Sequence, residues 1–417
     1  MTGEVQASAA RAAAEFAARS SYGRLLATLA RQWRDIAAAE DALADAFRAA
    51  LERWPQTGVP ARPDAWLLTS ARNSLIDGAR RGLVRAEAAP TLALLAEDAE
   101  ANPADLFPDE RLKLLFVCAH PAIDASVRPA LMLQTVLGFN ASRIAAAFLT
   151  SPEALGQRLV RAKAKIRDAG LTFVIPGEAE LTERLHCVLQ AIYAAYGSGW
   201  EDVVGTDPKR HGLAEEAIFL ARLLAGLLPH EPEAHGLLAL MLHCEARRAA
   251  RRDPAGAFVA LADQATHLWS DALIGEAEQV LAKAAALKRL GPFQLEAAIQ
   301  SVHAGRARSG RTDWQALAQL YEGLVRLAPS IGALTGRAAA CAEAFGPERG
   351  LALLAELPEA QIAGYQPYWA LKAHLLARGG EAVAANEAYT QAIGLSEDPA
   401  VRAFLSSARD AASGSTR

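Results

Sequence analysis

Residues 140–170 read NASRIAAAFLTSPEALGQRLVRAKAKIRDAG. Apolar residues recur at helical spacing in both halves, and TSP lies between them. Asn140 can cap a first helix, while Ser151 can cap a second with Pro152 at its first helical position, where a missing N–H costs nothing. The pattern predicts two short helices joined by a three-residue turn, a helix-turn-helix.

The second of these helices has one apolar face and one basic face. The apolar face consists of Leu155, Leu159, Ala162 and Ile166. The other face and its flanks contain Gln157, Arg158, Arg161, Lys163, Lys165 and Arg167. A helix of this kind can place its early residues at base edges in the major groove and its later cations at phosphates. A solvated amphipathic helix without a nucleic-acid partner remains the alternative from this segment alone.

Composition limits the class of protein. The chain has 417 residues, enough for two or three domains, and its alanine-rich sequence shows no alternation of apolar and polar residues, which predicts an all-α fold. The net charge of −4 means that any nucleic-acid surface must be local. The cysteines form no CxxC pair, which fits a reducing cytosol, and no signal sequence or long uncharged apolar stretch occurs. We therefore expect a cytoplasmic protein that does not contact a membrane.

The N-terminal part predicts further helices. Residues 12–33 and 37–54 form two segments, and Glu40, Asp41 and Asp45 gather near the start of the second. A Gly/Pro loop at residues 57–62 precedes a helix at 63–81. The polar face of that helix contains Trp66, Asn73, Asp77 and Arg80. An acidic first turn suits the helix dipole in any protein, so these helices alone do not decide the function.

Three segments, in the order in which they occur along the chain, resemble regions two and four of bacterial sigma factors of the extracytoplasmic-function group. They are AEDALADAFRAALERW at 39–54, PDAWLLTSARNSLIDGARR at 63–81 and ASRIAAAFLTSPEALGQRLVRAKAKIR at 141–167. The resemblance implies a region-two domain at 12–82 that binds core RNA polymerase and the promoter −10 element. It also implies a linker at 83–110 and a region-four domain at 111–170 that binds the −35 element.

The resemblance also implies site residues. The residues expected to bind core polymerase are Glu40, Asp41, Asp45 and Arg48. Those expected to bind −10 DNA as a single strand are Asn73, Asp77, Arg80 and Arg81. Those expected to bind −35 DNA are Glu153, Ala154, Gln157, Arg158, Arg161, Lys163 and Lys165. The chain departs from the group at Gly156, where a basic residue is common, so the −35 base contacts shift to Gln157 and Arg158.

The region between the two sigma-like domains is acidic. Residues 86–110 contain seven acids and no basic residue, which fits either a solvated linker or a nucleic-acid mimic in a positive channel of polymerase. Cys118 and His120 follow in FVCAHPAI. Without a second pair nearby they predict core packing and no metal site.

Residues 178–417 read as helices broken by loops, and they resemble the C-terminal TPR-like extension of one subgroup of these sigma factors. The clearest repeat is 365–399, with weaker units ending at Pro329 and Pro358. The resemblance implies a regulatory domain that acts on the sigma domains, with a small soluble regulatory protein as a further partner. No cofactor is expected.

Other function classes are disfavoured. PHEPEAH at 229–235 differs from a zinc-protease HExxH because its histidines are five residues apart and Pro232 interrupts the helix, so it predicts a loop. Since no catalytic residues stand out, an enzyme is not expected. The main alternative is a TPR-containing helix-turn-helix transcription regulator that acts without core polymerase.

Overall fold

The structure, a computed structural model, describes residues 2–83, 110–139, 141–147, 151–200 and 213–414. Within these ranges the chain is helical, with a single isolated antiparallel bridge between Arg252 and Phe258, which confirms the predicted all-α class. The chain divides into two compact units. The first comprises Met1–Glu201 and Asp207–Ala217, and the second comprises Asp202–Thr206 and Ile218–Arg417.

The helices of the first unit lie close to the predicted segments. They are α1 (Thr2–Ser20), α2 (Tyr22–Trp33), α3 (Ile36–Thr57), α4 (Pro63–Leu83), α5 (Arg111–Cys118), α6 (Arg128–Leu137), α7 (Ala141–Ala147), α8 (Pro152–Asp168) and α9 (Glu178–Trp200). The single segment predicted at 12–33 is wrong, because the helix is interrupted at Ser21. The backbone of Ser21 leaves helical geometry (φ −122°, ψ −15°), and its hydroxyl donates to Asp64 Oδ2 at 2.8 Å.

Side-chain caps fix where two of these helices begin. Asp35 accepts a hydrogen bond from Ala38 N at 3.1 Å and starts α3, while Ser151 Oγ accepts from Ala154 N at 3.1 Å and starts α8. The predicted cap at Ser151 is therefore confirmed. The predicted cap at Asn140, the turn at 148–150 and most of the acidic linker lie outside the described residues.

Helix α9 packs with the first unit, against α5 and α6, whereas the sequence predicts that the C-terminal domain begins at residue 178. Leu185 and Val188 are buried, and Arg184 Nη2 donates to the carbonyl oxygen of Phe116 at 3.1 Å. The apolar face of α9 covers α5, whose residues from Leu114 to Cys118 are all buried. By packing, the first unit therefore extends to about residue 200.

The second unit is a series of packed helices. They are α10 (Leu213–Leu227, from residue 218), α11 (Pro232–Ala246), α12 (Asp271–Ala286), α13 (Pro292–Ala304), α14 (Arg306–Ser309), α15 (Trp314–Leu327), α16 (Ile331–Phe345), α17 (Pro347–Ala355), α18 (Glu359–Ile362), α19 (Gln366–Arg378), α20 (Ala382–Leu395) and α21 (Pro399–Gly414). Neighbouring helices pack in pairs, among them α11 with α12, α15 with α16 and α19 with α20. The segment predicted as the clearest repeat is such a pair, with Tyr368, Ala385 and Tyr389 buried.

The PHEPEAH segment is partly helical. Pro232 starts α11 at its first position, so the prediction of a loop through His235 is wrong. The Nε2 atom of His235 lies 3.0 Å from the carbonyl oxygen of Pro229. Within the described ranges no three His, Cys, Asp or Glu residues are grouped as metal ligands would be. Of the helices in the same ranges, none combines the length and the apolar character needed to cross a bilayer.

One partly buried carboxyl in the second unit, that of Glu296, gives a pH prediction. Burial, with Glu233 nearby, raises the pKa of Glu296 to about 7. Its unfolded pKa is about 4.3. Because the folded pKa is higher, the folded state binds the extra proton between these values, and stability is lost as the pH rises from about 4.3 through 7. Glu296→Gln is therefore expected to raise the free energy of unfolding by about 2.5 kcal/mol more at pH 8 than at pH 5.

Urea unfolding of the wild type and of Glu296→Gln, at pH 5 and at pH 8, measures this difference in stability. His243 and His303, whose pKa values burial lowers to about 4, have the opposite pH dependence. They are present in both proteins, so their contribution cancels in the difference between variant and wild type. The same gain at pH 5 and pH 8 would contradict the buried, titrating state of Glu296.

Candidate protein and nucleic-acid interface

The acidic group on α3 is split between two faces of the helix. Asp41 and Asp45 are exposed, as is Arg48, whose Nη2 lies 2.9 Å from Asp45 Oδ1. Ser74 Oγ donates to the other oxygen of Asp45 at 3.3 Å. Three of the four predicted polymerase-binding residues are therefore on an open surface, next to α4.

The fourth, Glu40, faces inward and pairs with Lys163 of α8. Its side chain is 16% exposed, and the Oε1 atom is buried without a hydrogen-bond partner. Burial raises the pKa of Glu40 more than Lys163 lowers it, so the loss of hydration outweighs the ion pair. Glu40 is thus not available to a partner in this arrangement.

The polar face of α4 is open. Asn73 and Asp77 are exposed, and Arg80 and Arg81 lie in the same helix with side chains outside the described residues. Arg72 was not predicted from the sequence. Burial lowers its pKa, and its Nε has no hydrogen-bond partner. A half-buried guanidinium next to Asn73 can offer a donor to a phosphate or a base.

A cleft lies beside the loop between α3 and α4. Its lining comes from three helices and the loop: Ala13, Phe16, Ala17, Arg24, Arg62, Pro63, Asp64 and Ala65. Asp64 is fixed there by Ser21 Oγ at 2.8 Å and Arg24 Nη2 at 2.9 Å. The sequence predicted a pocket from the loop itself, whereas Phe16 and Arg24 could not be assigned to it because they are distant in the chain.

Helix α8 presents most of its predicted DNA-contacting residues to solvent. The exposed ones are Glu153, Ala154, Gln157, Arg161 and Lys165. Arg158 is half-buried, and its Nη2 donates to Ser126 Oγ, which in turn donates to Asp124 Oδ1 at 2.7 Å. A second cleft, with Arg158, Arg161 and Lys165 on one side, opens between α8 and residues 123–127. The predicted apolar face is buried as expected.

Lys163 does not lie on this basic surface. It is 8% exposed and directed toward α3, so in this arrangement it cannot reach a phosphate. Arg167 is exposed, with Nε 2.9 Å from Asp168 Oδ1 and Nη1 3.7 Å from Asp35 Oδ2. In the sequence, Lys163 lies at the edge between the apolar and the basic face of α8. Packing against α3 determines that its side chain is buried with the apolar face.

Comparison with known proteins identifies the domain that contains α3 and α4. Residues 19–83 match the family Sigma-70 region 2. The chain carries a sigma-70 region 2. The matched range includes α2, α3 and α4, the part of the cleft that α2, the loop and α4 line, and the exposed acids of α3. The match supports a sigma factor of the sigma-70 family.

A second match lies further along the chain. Residues 184–285 match a family of unknown function, DUF6596, which begins inside α9 and ends in α12. An uncharacterized protein of Rhizobium meliloti (strain 1021) is 39% identical over 393 residues, 93% of this chain and 92% of that protein. The chain belongs to the same family as this relative. No solved structure matches the chain.

Proposed function

We propose that this protein is a cytoplasmic sigma factor of the extracytoplasmic-function type that binds core RNA polymerase and directs promoter-specific initiation. The observation that carries the proposal is the sigma-70 region 2 match at residues 19–83, on helices whose acidic α3 face and polar α4 face are open. In this proposal Asp41, Asp45 and Arg48 contact polymerase. Asn73 and Asp77, with the arginines that follow, read the −10 element as a single strand.

Helices α7 and α8 form the −35 reader of the proposal. The start of α8, with Glu153, Ala154, Gln157 and Arg158, faces the base edges, and the exposed cations Arg161 and Lys165 face phosphates. Gly156 has open space around it, so the backbone can approach DNA closely there. This assignment rests on the capped helix and on the separation of its apolar and basic faces.

The second unit is the regulatory part of the proposal. Its neighbouring helices pack in pairs, which supports a TPR-like array, and such arrays bind peptides or domains on extended surfaces. We assign it to control of the sigma domains, with a small soluble regulatory protein as a further partner.

In vitro transcription with purified core polymerase tests the function. The full chain is expected to give promoter-dependent transcripts, and a chain ending near residue 200, which keeps α9 with the first unit, is expected to retain core binding. A protein that binds duplex DNA but neither binds core polymerase nor supports initiation would contradict the sigma assignment. That result would favour a DNA-binding regulator that acts without polymerase.

Salt dependence of binding tests the phosphate contacts of α8. Lys165 is exposed in the cleft between α8 and residues 123–127, and each phosphate contact contributes about −0.9 to the slope of log K against log salt on duplex DNA. Lys165→Ala is therefore expected to flatten the slope by about 0.9, alike on all sequences. Lys283→Ala, an exposed lysine of α12 in the second unit, is the control. An unchanged slope for Lys165→Ala would remove this residue from the DNA contacts.

Promoter opening tests the −10 assignment. Asn73 is exposed on α4 and can hydrogen-bond to an unstacked base. Asn73→Ala is expected to lower the rate of open-complex formation about tenfold, as measured by permanganate reactivity, because one base contact is worth about 1–3 kcal/mol. Binding of core polymerase should be unchanged. Equal opening by variant and wild type at limiting protein would exclude Asn73 as a base-reading residue.

A further inference from the structure

An arginine of the second unit is buried without an anion. It belongs to the run RRAARR at 247–252, which follows α11. Arg252 of this run pairs with Asp398. Arg247 is 8% exposed, and in the described part of the chain no carboxylate forms an ion pair with it. Its Nη2 donates to Gln300 Oε1, while its Nε is buried with no hydrogen-bond partner.

This unpaired charge is unfavourable for the fold. A buried guanidinium has lost its hydration, and without an anion it gains no attraction in return. His243 and His303 lie near Arg247 but are uncharged at neutral pH, because burial, to which the charge of Arg247 adds, lowers the pKa of each to about 4. An anion supplied by a ligand would remove the cost of burying Arg247.

Polar side chains from other helices lie around this guanidinium. Gln300 and Glu296 are one turn apart on α13. Burial raises the pKa of Tyr321 in α15 to about 12; Glu296 and Tyr365 add to the rise, and Arg247 opposes it. These groups are therefore close enough to affect one another's charge. The side chains around Arg247 are each partly exposed, so solvent reaches the cluster.

Two glycines of α16 allow the tyrosine side chains to lie here. A Cβ on Gly336 would be 2.3 Å from Cε1 of Tyr321, so the ring rests directly on the helix backbone. One turn earlier, the hydroxyl oxygen of Tyr365 is 3.4 Å from where a Cβ on Gly332 would be. Both tyrosines thus meet the same face of α16, and each hydroxyl can donate or accept a hydrogen bond.

We propose that Arg247, with Gln300, Tyr321 and Tyr365, binds a small organic anion through a carboxylate group. The guanidinium supplies the charge, and the Gln300 amide and the two hydroxyl groups supply neutral donors. The tyrosine rings offer apolar faces to a planar ligand. The inference concerns the second unit alone and stands whether or not the chain is a sigma factor.

The charges favour a carboxylate over a phosphate. A carboxylate carries one negative charge, which matches the one guanidinium. Glu296 lies near the site with Glu233 beside it, and both acids disfavour the second negative charge of a phosphate monoester. Glu233 is already engaged, because it accepts hydrogen bonds from Phe293 N at 2.9 Å and Gln294 N at 3.1 Å.

Fluorine NMR titration of the full-length protein with para-fluorobenzoate tests the site. This probe carries one carboxylate on a planar ring, and para-fluorobenzamide has the same shape without the charge. We expect the benzoate to bind with a dissociation constant of about 1 mM, within reach of a ligand of this size. The amide should bind at least tenfold more weakly. In competition, benzoate should displace the probe at a lower concentration than phenyl phosphate does.

Arg247→Met removes the charge and keeps a long side chain. It is expected to weaken binding of para-fluorobenzoate at least tenfold, because a charged hydrogen bond is lost. Without the probe, its midpoint of urea unfolding should equal or exceed that of the wild type, since a buried unpaired charge is removed. Tyr321→Phe is a second variant, which keeps the ring against Gly336. Loss of its hydroxyl should weaken binding about threefold.

The matched control is Arg252→Met. Arg252 is 11% exposed in the same run, but it is paired with Asp398. This variant should bind the probe like the wild type, and its urea midpoint should fall because Asp398 loses its cation.

Several results would overturn the site: no binding of the probe by the wild type, or equal binding by wild type and both site variants, or equal binding of the benzoate and the amide. Tighter binding of phenyl phosphate than of benzoate would overturn the carboxylate assignment. If Arg247→Met loses as much stability as Arg252→Met and still binds the probe, Arg247 only joins α11 to α13 through Gln300.

Discussion

Replacing both Asp41 and Asp45 with lysine is expected to weaken binding of core RNA polymerase at least a hundredfold, or about 2.7 kcal/mol. Both carboxylates are exposed on α3, and neither is needed for its cap, which Asp35 provides. The substitutions change the surface by four charges. Like charges placed opposite each other at an interface cost several kcal/mol, so a basic partner surface would be repelled. Titration of fluorescent core polymerase measures the effect.

The control is Glu183→Lys, which reverses an exposed charge on α9, a helix outside residues 19–83. It should bind core polymerase within about threefold of wild type. Thermal unfolding should be similar for all three proteins, because surface substitutions of this kind change stability by about 0.5 kcal/mol or less. Unaltered binding by the double variant would show that this face of α3 is not the polymerase contact, even if the protein proves to be a sigma factor.

The same helix shows what the sequence can predict and what it cannot. Helical spacing placed α3, α4 and α8 to within a few residues, because their apolar faces and caps are local features of the chain. The grouping of Glu40 with Asp41 and Asp45 was also local, but the side of α3 that stays open depends on what packs against it. Glu40 and Lys163 are 123 residues apart, and no local pattern brings them together.

Other differences between the sequence predictions and the structure also arise from contacts between segments that are distant in the chain. Nothing in the local sequence around Ser21 predicts an interruption of the helix. Its hydroxyl donates a hydrogen bond to Asp64, which is 43 residues away in the chain. Helix α9 has an amphipathic pattern that fits either neighbouring unit, and the apolar surface of α5 decides between them. Phe16 and Arg24 could not be assigned to the cleft for the same reason. What the chain encodes locally was predicted, and what depends on contacts between distant segments was not.

A large loss of stability is expected when a core side chain of the second unit is shortened. Leu375 of α19 is fully buried, and its Cδ1 lies 2.8 Å from where a Cβ on Gly350 of α17 would be. The cluster around it joins α16, α17, α18 and α19: Ala338, Ala342, Leu353, Leu354, Leu357, Ile362, Tyr368 and Leu375. Leu375→Ala is expected to lower the free energy of unfolding of the second unit by about 2–5 kcal/mol, because it removes buried methyl groups and leaves a cavity. Urea unfolding of the full chain measures this.

Val383→Ala is the matched control, because its side chain in the next helix is 79% exposed and its loss should change stability by about 0.5 kcal/mol or less. Truncation after Gln361 removes Tyr368 and Leu375 together and should destabilise the unit further. Each helix pair of such an array buries its apolar surface only against its neighbours. If the array controls the sigma domains, transcription at a temperature where Leu375→Ala is unfolded should change, in either direction, while the control behaves as wild type. Equal transcription from an unfolded and a folded array would exclude a regulatory role for the second unit.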